Sequence, residues 1–291
     1  MGCGAKAPTR CHELRSGHLF QRQRERDLWG LDMLSTELGL RPPSQATIAC
    51  KLCDSASSLY GVVDLHRPCE FPGGARPPLS GVPVYYRRCP HCSFLFTDAF
   101  DDWKHDQFKA HIYNDGYQAL DPEGLARPRN NAEIVANLWA PFKTGMRVLD
   151  FGTGDDALAS VLRANGFKEA MACDAMAPDL ASPQGKFDLV TCFETLEHLP
   201  DPAASVAKII EYVAEPGAVL YSTLTLPEDF DRQGMSWWFV GPRSGNISIF
   251  SKEALSLAWA RHGYRTVSFN PGTHIAFRTL PKAWGLTALQ S

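Results

Sequence analysis

The sequence predicts an α/β fold in which a mostly parallel sheet ends in an antiparallel hairpin, preceded by a small cysteine-rich module. Between Arg147 and Pro200, strand-like apolar runs alternate with helical patterns, which is typical of a parallel sheet. Near the C-terminus, the runs YRTVSFN and THIAFRTL are joined by Pro271-Gly272, a turn signal for a hairpin. Two Cys-x-x-Cys pairs precede the α/β region and form the third observation.

Composition excludes several classes of protein. The chain has 291 residues, 44% of them apolar, which suffices for one large domain and a smaller module. Its 29 basic and 32 acidic residues give a net charge of −3, so neither nucleic acid nor a membrane surface is expected as a partner. No stretch resembles a secretory signal or approaches eighteen consecutive apolar residues. We expect a cytoplasmic protein.

Residues 1–44 are expected to be a disordered or helical lead. The first twenty residues lack apolar periodicity, whereas Leu28, Leu31, Leu34 and Leu38 recur at roughly helical spacing. The paired prolines at 42 and 43 end this segment, because they cannot continue a helix.

The cysteine module is predicted over residues 45–105. Each pair has the two-residue gap that lets two thiolates bind one metal ion, and both pairs together favour a zinc ribbon with structural zinc. Unmetallated thiols, or Cys69 or His66 as substitute ligands, remain alternatives. A redox dithiol is less favoured, and four thiolates leave no open position for catalysis. The predicted ligands are Cys50, Cys53, Cys89 and Cys92.

Bridging helices are expected over residues 106–145. Tyr113 and Tyr117 are four residues apart, so they can stand side by side on one helical face, either capping a nucleotide pocket or lying half-buried at a domain seam. A helix-spaced apolar stripe follows and predicts a packed helix rather than a flexible linker. It consists of Ala132, Ile134, Val135, Leu138 and Trp139.

A nucleotide-binding core is predicted over residues 146–291. Gly152 and Gly154 follow the first strand and permit a tight turn with close approach of a ligand, and Asp174 ends the second strand where an acid can bind a ribose. The same glycines fit a dinucleotide fingerprint. Asp150 and the acids after the turn disfavour a pyrophosphate and favour a cationic amino-acid group.

The third strand brings a carboxylate and an imidazole to the same edge of the sheet, in the run FETLEHLPDP. Asp201 and Pro202 then begin a helix, and Ser251 caps another. The long connection over residues 227–249, which contains two tryptophans, is expected to be a lid over a substrate.

With these motifs the chain resembles the class I S-adenosylmethionine-dependent methyltransferases, over about residues 130–280. VLDFGTGDDAL looks like their first motif, CDA like the second and FDLVTCFETLEHLPDP like the strand-four motif. The double Cys-x-x-Cys module resembles the zinc-binding subgroup that includes deoxysugar C-methyltransferases. Asp156 departs from the pattern where a third glycine is usual, and Asn246 departs where histidine is common.

The resemblance implies a Rossmann-like sheet of seven strands and S-adenosylmethionine as cofactor. The residues that would hold the cofactor are Asp150, Gly152, Thr153, Gly154, Asp174, Ala175, Phe193 and Tyr117.

The predicted function is methyl transfer to a small-molecule or sugar-type acceptor. His198 is the best general base, with Glu194 and Glu197 as orienting or charge-matching groups, although Glu197 and His198 can also be a polar helix start packed on the lid. Two alternatives stay open: a methyltransferase fold that has become a scaffold, and an NAD-dependent oxidoreductase. The predicted substrate contacts are Tyr113, Trp237, Trp238 and Arg243.

Overall fold

The computed structural model describes residues 40, 43, 45–174, 180 and 182–289. The predicted lead, residues 1–44, lies outside this range apart from Leu40 and Pro43. Ala175, predicted at the cofactor site, also lies outside it.

The described strands form two sheets. The smaller has five strands in the order β1-β2-β3-β4-β9, and the larger has six in the order β10-β11-β8-β7-β5-β6. The small-sheet strands are β1 (Thr47–Ala49), β2 (Ala56–Asp64), β3 (Pro83–Arg88), β4 (Leu95–Phe96) and β9 (Ser248–Ile249). The large-sheet strands are β5 (Arg147–Phe151), β6 (Glu169–Cys173), β7 (Phe187–Phe193), β8 (Val213–Ser222), β10 (Arg265–Asn270) and β11 (Thr273–Phe277).

The large sheet confirms the predicted α/β fold class. Strands β5 to β8 pair in parallel, whereas β11 pairs antiparallel with both β8 and β10. The sheet has six strands among the described residues, one fewer than predicted, and residues 175–179 and 181, between β6 and β7, lie outside them.

Seven α-helices occur in the described chain: α1 (His105–His111), α2 (Tyr117–Leu120), α3 (Arg127–Leu138), α4 (Ala157–Ala164), α5 (Pro202–Ile210), α6 (Phe230–Gln233) and α7 (Lys252–Ala260). Two predicted caps are observed. Asp201 accepts a hydrogen bond from the backbone N–H of Ala204 at 2.9 Å, and Ser251 Oγ accepts one from Ala254 at 3.0 Å.

Alternation of side chains along the strands gives the large sheet two apolar faces. One face packs against α3 and α4, through residues such as Val135, Leu158 and Leu162. The other packs against α5 and α7 and also against the cysteine module, since Phe94 and Phe96 share a buried cluster with Trp259. The cysteine module is therefore part of the core that supports the sheet.

The segment 227–249, predicted as a lid, also contributes to the small sheet. Residues 239–250 are all buried, and β9 within this stretch pairs with β4. The small sheet is thus completed by residues about 150 positions after its other strands. In the described part of the chain, no helix has both the length and the apolar character needed to cross a membrane.

Candidate active site

A cavity of about 600 Å³ lies where β5, β7 and β8 end at their carboxyl edge. Ligands of open α/β sheets bind at this edge, because the connections that leave it diverge and open a crevice. Nine predicted site residues line the cavity: Tyr117, Asp150, Gly152, Thr153, Phe193, Glu194, Glu197, His198 and Trp238. The structure therefore brings the predicted cofactor and catalytic groups together.

The turn after β5 contains two residues with positive φ angles, a conformation that glycine adopts more readily than other residues. Gly152 and Gly154 have φ values of 79° and 73°. A Cβ at Gly152 would lie 2.3 Å from Cγ2 of Thr195, so this position has no room for a side chain. The backbone N–H of Gly154 donates to Oδ2 of Asp174 at 2.8 Å, which ties the turn to the acid that ends β6.

Asp150 lies at the base of the cavity and is almost fully buried. Oδ1 of Asp150 accepts a hydrogen bond from Thr191 Oγ1 at 2.7 Å. Burial raises the pKa of the Asp150 carboxyl to about 6 despite that hydrogen bond. A cationic ligand group in the cavity would lower this pKa and stabilise the ionised carboxylate.

Asp156, the departure from the glycine pattern, faces away from the turn. Its carboxylate forms an ion pair with Arg163, which lies near the other end of α4. The Arg163 guanidinium also donates a hydrogen bond to the carbonyl of Ala170 at 2.8 Å. The neighbouring Asp155 accepts from the Ala157 N–H at 2.8 Å and so caps the start of α4. The negative charge of Asp156 is therefore compensated within the protein.

Arg127 at the start of α3 joins two acids on the cavity wall and was not identified from the sequence. Its Nε donates to Glu194 at 2.7 Å, and its terminal nitrogens form a two-pronged contact with Asp121. Both acids together raise the pKa of the Arg127 guanidinium despite its partial burial. No local motif marks this residue, because its partners lie 6 and 67 positions away.

Glu197 and Thr223 are buried polar residues that line the cavity. Burial raises the pKa of Glu197 from its ordinary 4.5 to about 8, although a hydrogen bond with the Thr223 side chain acts in the opposite direction. This carboxyl is therefore neutral at pH 7 and can donate a hydrogen bond. Buried polar residues on a cavity wall favour a polar ligand.

His198 lies beside Glu197, and its buried Nδ1 packs against Gly245, whose backbone forms a hydrogen bond with this histidine. Its ring meets that of Tyr113 edge to face at 6.1 Å between centroids. Burial lowers the pKa of His198 from 6.5 to about 4. The imidazole is therefore neutral at pH 7 and has a free lone pair for a proton, but burial makes it a weaker base than an exposed histidine.

The segment 194–200, which carries both groups, is held by the small sheet. The N–H of Ile247 donates to the Glu197 carbonyl at 2.9 Å, and Ser248 Oγ donates to the Leu199 carbonyl at 2.7 Å. Lys51, inside the first Cys-x-x-Cys pair, donates to the Pro200 carbonyl at 2.8 Å. The cysteine module thus touches the backbone that positions Glu197 and His198.

Several predicted residues do not reach the cavity wall. Arg243 is buried and donates to the Ile112 carbonyl at 2.6 Å and to Asn114 at 2.8 Å, which fixes the chain after α1. Trp237 packs inside an aromatic cluster with Phe230 and Phe239.

Tyr113 and Tyr117 are adjacent, with ring centroids 5.1 Å apart, but they do not share a helix. Helix α1 ends at His111 and α2 begins at Tyr117, so the prediction of one helical face was wrong. Gly154 and Asp174 are not among the residues that line the cavity, and a hydrogen bond joins them at its edge, beside Gly152 and Thr153.

The four predicted cysteine ligands converge on one point. Their Sγ atoms all lie within 4.8 Å of one another, with separations of 3.7 Å for Cys50 and Cys92 and 3.4 Å for Cys53 and Cys89. A disulfide would require about 2.05 Å, whereas a tetrahedral ion with metal–sulfur bonds of about 2.3 Å places sulfurs about 3.8 Å apart. The cluster fits a tetrahedral metal ion.

Comparisons with known proteins agree with this geometry. Residues 125–269 match the profile of a family described as a methyltransferase domain. A ubiquinone biosynthesis O-methyltransferase from Aromatoleum aromaticum is 35% identical over 104 residues, which cover 28% of this chain and 44% of that protein. Its counterpart from Bordetella pertussis is 32% identical over 133 residues, which cover 36% and 55% of the two chains. This chain spans about half the length of these relatives.

One solved structure, an O-methyltransferase family protein from Burkholderia thailandensis, superposes with a TM-score of 0.44 at 15% identity. The superposition covers 61% of this chain and 64% of that one.

Proposed function

We propose that this chain transfers a methyl group from S-adenosylmethionine to a small-molecule acceptor, because residues 125–269 match the methyltransferase domain family. One observation carries the proposal. The glycine turn at Gly152 lines the same cavity as the polar residues Glu197, His198 and Thr223. This arrangement supports a nucleoside site beside a site for a polar reactant.

The residues around the turn suit the cofactor's chemistry. Asp150 and Asp155 face a cavity in which a phosphate would be repelled and a sulfonium or ammonium group attracted. Gly152 and Thr153 would lie against the methionyl part, Asp174 would bind the ribose hydroxyls and Phe193 would pack on the cofactor. When bound, the cofactor supplies an activated methyl group.

Little further chemistry is required of the protein. The acceptor must be held in line with the methyl group, and a proton must be removed if the attacking atom carries one. Neutral His198 would accept that proton, and the protonated carboxyl of Glu197 would donate a hydrogen bond that orients the acceptor. Arg127 would hold Glu194 and Asp121 at the cavity mouth.

We propose oxygen as the methylated atom. A hydroxyl acceptor needs a base, which His198 would provide, and it can form hydrogen bonds with Glu197 and Thr223, which line the same cavity. The relatives are named as O-methyltransferases, which supports the same choice.

We propose structural zinc at Cys50, Cys53, Cys89 and Cys92. The convergence of the four sulfurs supports it, and four thiolates would leave no open position for a reactant. Elemental analysis should find about one zinc per chain, and a metal-free, well-folded preparation would contradict the proposal. None of the seven described cysteines forms a disulfide, which supports a cytoplasmic location.

Calorimetry with adenosylhomocysteine tests the cofactor assignment. The zinc-loaded protein should bind this product analogue and give no heat with NADH, whereas the reverse result would favour an oxidoreductase. Failure to bind either ligand would leave a scaffold that retains the fold.

Replacing His198 tests the proposed base. His198→Ala should lower turnover about 10²- to 10⁴-fold and leave the Kd for adenosylhomocysteine within about twofold. His105→Ala, an exposed histidine at the start of α1, is the matched control. Unchanged turnover in His198→Ala would remove this residue from the mechanism.

A further inference from the structure

A second cavity, of about 350 Å³, lies on the face of the large sheet that carries α3. Its floor includes Leu220 of β8 and Ile275 of β11, and Trp139 and Trp284 stand at its side. Ten of its thirteen lining residues are apolar or aromatic. The volume is within the range of small-molecule pockets, and the lining suits a group without polar atoms.

The second cavity adjoins the candidate active site. Four residues line both cavities: Asn131 of α3, Phe193 of β7, Ser222 of β8 and Thr273 of β11. Phe193 and Ser222 end the same strands that deliver Glu194 and Thr223 to the first cavity. A molecule whose polar part occupies the first cavity can therefore extend into the second.

The rim of the second cavity exposes apolar side chains that the fold does not cover. Ile134 and Leu138 of α3 are 55% and 60% exposed, and Phe269 is 52% exposed. The sequence predicts Ile134 and Leu138 as part of a packed stripe, and the structure contradicts this because they lie at the cavity rim. Apolar groups grouped around one opening indicate a binding surface, since burying them is favourable.

We infer that the acceptor is amphipathic: its polar head with the methylated atom occupies the first cavity, and an apolar chain or ring system occupies the second. This inference rests on the proposed methyl transfer and specifies the acceptor's chemical class. The cofactor is a poor occupant of the second cavity, because its ammonium, carboxylate and ribose groups would find few partners there.

Two series of probes test the inference: 4-alkylcatechols and n-alkyl β-D-glucosides, each with side chains of one to six carbons. Calorimetry would measure the Kd of each probe with the zinc-loaded protein saturated with adenosylhomocysteine. Each added methylene should lower the Kd about fourfold in at least one series, the factor that corresponds to burying one CH₂ group.

Variants at the rim of the second cavity show whether the alkyl chain of the probe enters it. The double variant Ile134→Glu/Leu138→Glu should weaken the dependence on chain length, because a carboxylate beside the chain opposes its burial. Both side chains are exposed, so the fold should tolerate the change. Leu79→Glu is the matched control, since Leu79 is 78% exposed and lines neither cavity.

The outcomes separate the two proposals. If adenosylhomocysteine does not bind, the proposed function fails. If it binds but neither probe series depends on chain length, the acceptor is not amphipathic in this sense. A Kd that does not change with alkyl-chain length is also expected if another part of the protein covers the second cavity. This result overturns the inference in either case. If the Kd of the double variant depends on alkyl-chain length as strongly as that of the wild type, the alkyl chain binds outside the second cavity.

Discussion

Replacing Glu197 with glutamine tests whether this buried carboxyl is neutral in the folded protein. Burial raises its pKa from 4.5 to about 8, and glutamine keeps the shape of the neutral acid without its ability to ionise. Between these two pH values the unfolded chain has lost the proton and the folded chain has kept it. The wild-type free energy of unfolding should therefore fall as pH rises through this window.

The slope follows from the number of protons bound. One proton held only by the folded state changes the free energy of unfolding by about 1.4 kcal/mol per pH unit. Over the interval from 4.5 to about 8, the total is on the order of 5 kcal/mol. The free energy of unfolding of the wild type, minus that of Glu197→Gln, should fall by this amount for each pH unit. The variant therefore becomes more stable relative to the wild type as pH rises.

Urea unfolding of both proteins from pH 5 to pH 8 measures this difference. Both carry the same cysteines, so the pH dependence of metal binding cancels in the comparison. Glu123→Gln, an exposed carboxyl replaced in the same way, controls for the loss of one negative charge. A difference between wild type and Glu197→Gln that stays constant with pH would refute the neutral, buried carboxyl.

Four further predictions follow from particular contacts. Lys51→Ala should lower turnover several-fold and leave adenosylhomocysteine binding unchanged, with Lys51→Arg restoring part of the loss; equal effects of both variants on Tm and turnover would contradict a positioning role. Asp174→Asn should weaken adenosylhomocysteine binding about ten- to a hundredfold by calorimetry, the loss of a hydrogen bond to a charged group. Gly245→Ala should lower turnover, because a Cβ would lie 2.9 Å from Nδ1 of His198; unaltered kinetics would argue against the observed packing. Cys89→Ser should reduce the zinc content and lower Tm by differential scanning calorimetry, whereas full zinc retention would exclude Cys89 as a ligand.

The sequence predicts those features that depend on residues close together along the chain. The strand, glycine turn and helix around Gly152, the caps at Asp201 and Ser251 and the terminal hairpin all follow from local pattern, and the structure shows each of them. The paired spacing of the cysteines also predicts their convergence, because each pair occupies one tight turn.

Features that depend on distant parts of the chain were missed. Arg127 meets Glu194 only after folding, and Arg243 is turned inward by acceptors more than a hundred positions away. Periodicity placed Ile134 and Leu138 on a helix but could not show that the sheet beneath them leaves a cavity. No sequence motif marks Thr223, and its position beside Glu197 on the cavity wall is apparent only in three dimensions.

Strand β9 also bears on how the protein can be made and rearranged. On the ribosome, the first four strands of the small sheet emerge long before residues 248 and 249, so their sheet stays unfinished until most of the chain has been synthesised. A chimera that transplants residues 45–105 alone onto another methyltransferase would lack the strand that pairs with β4. An exchange that keeps the contacts to the 194–200 segment must carry residues 239–250 with it.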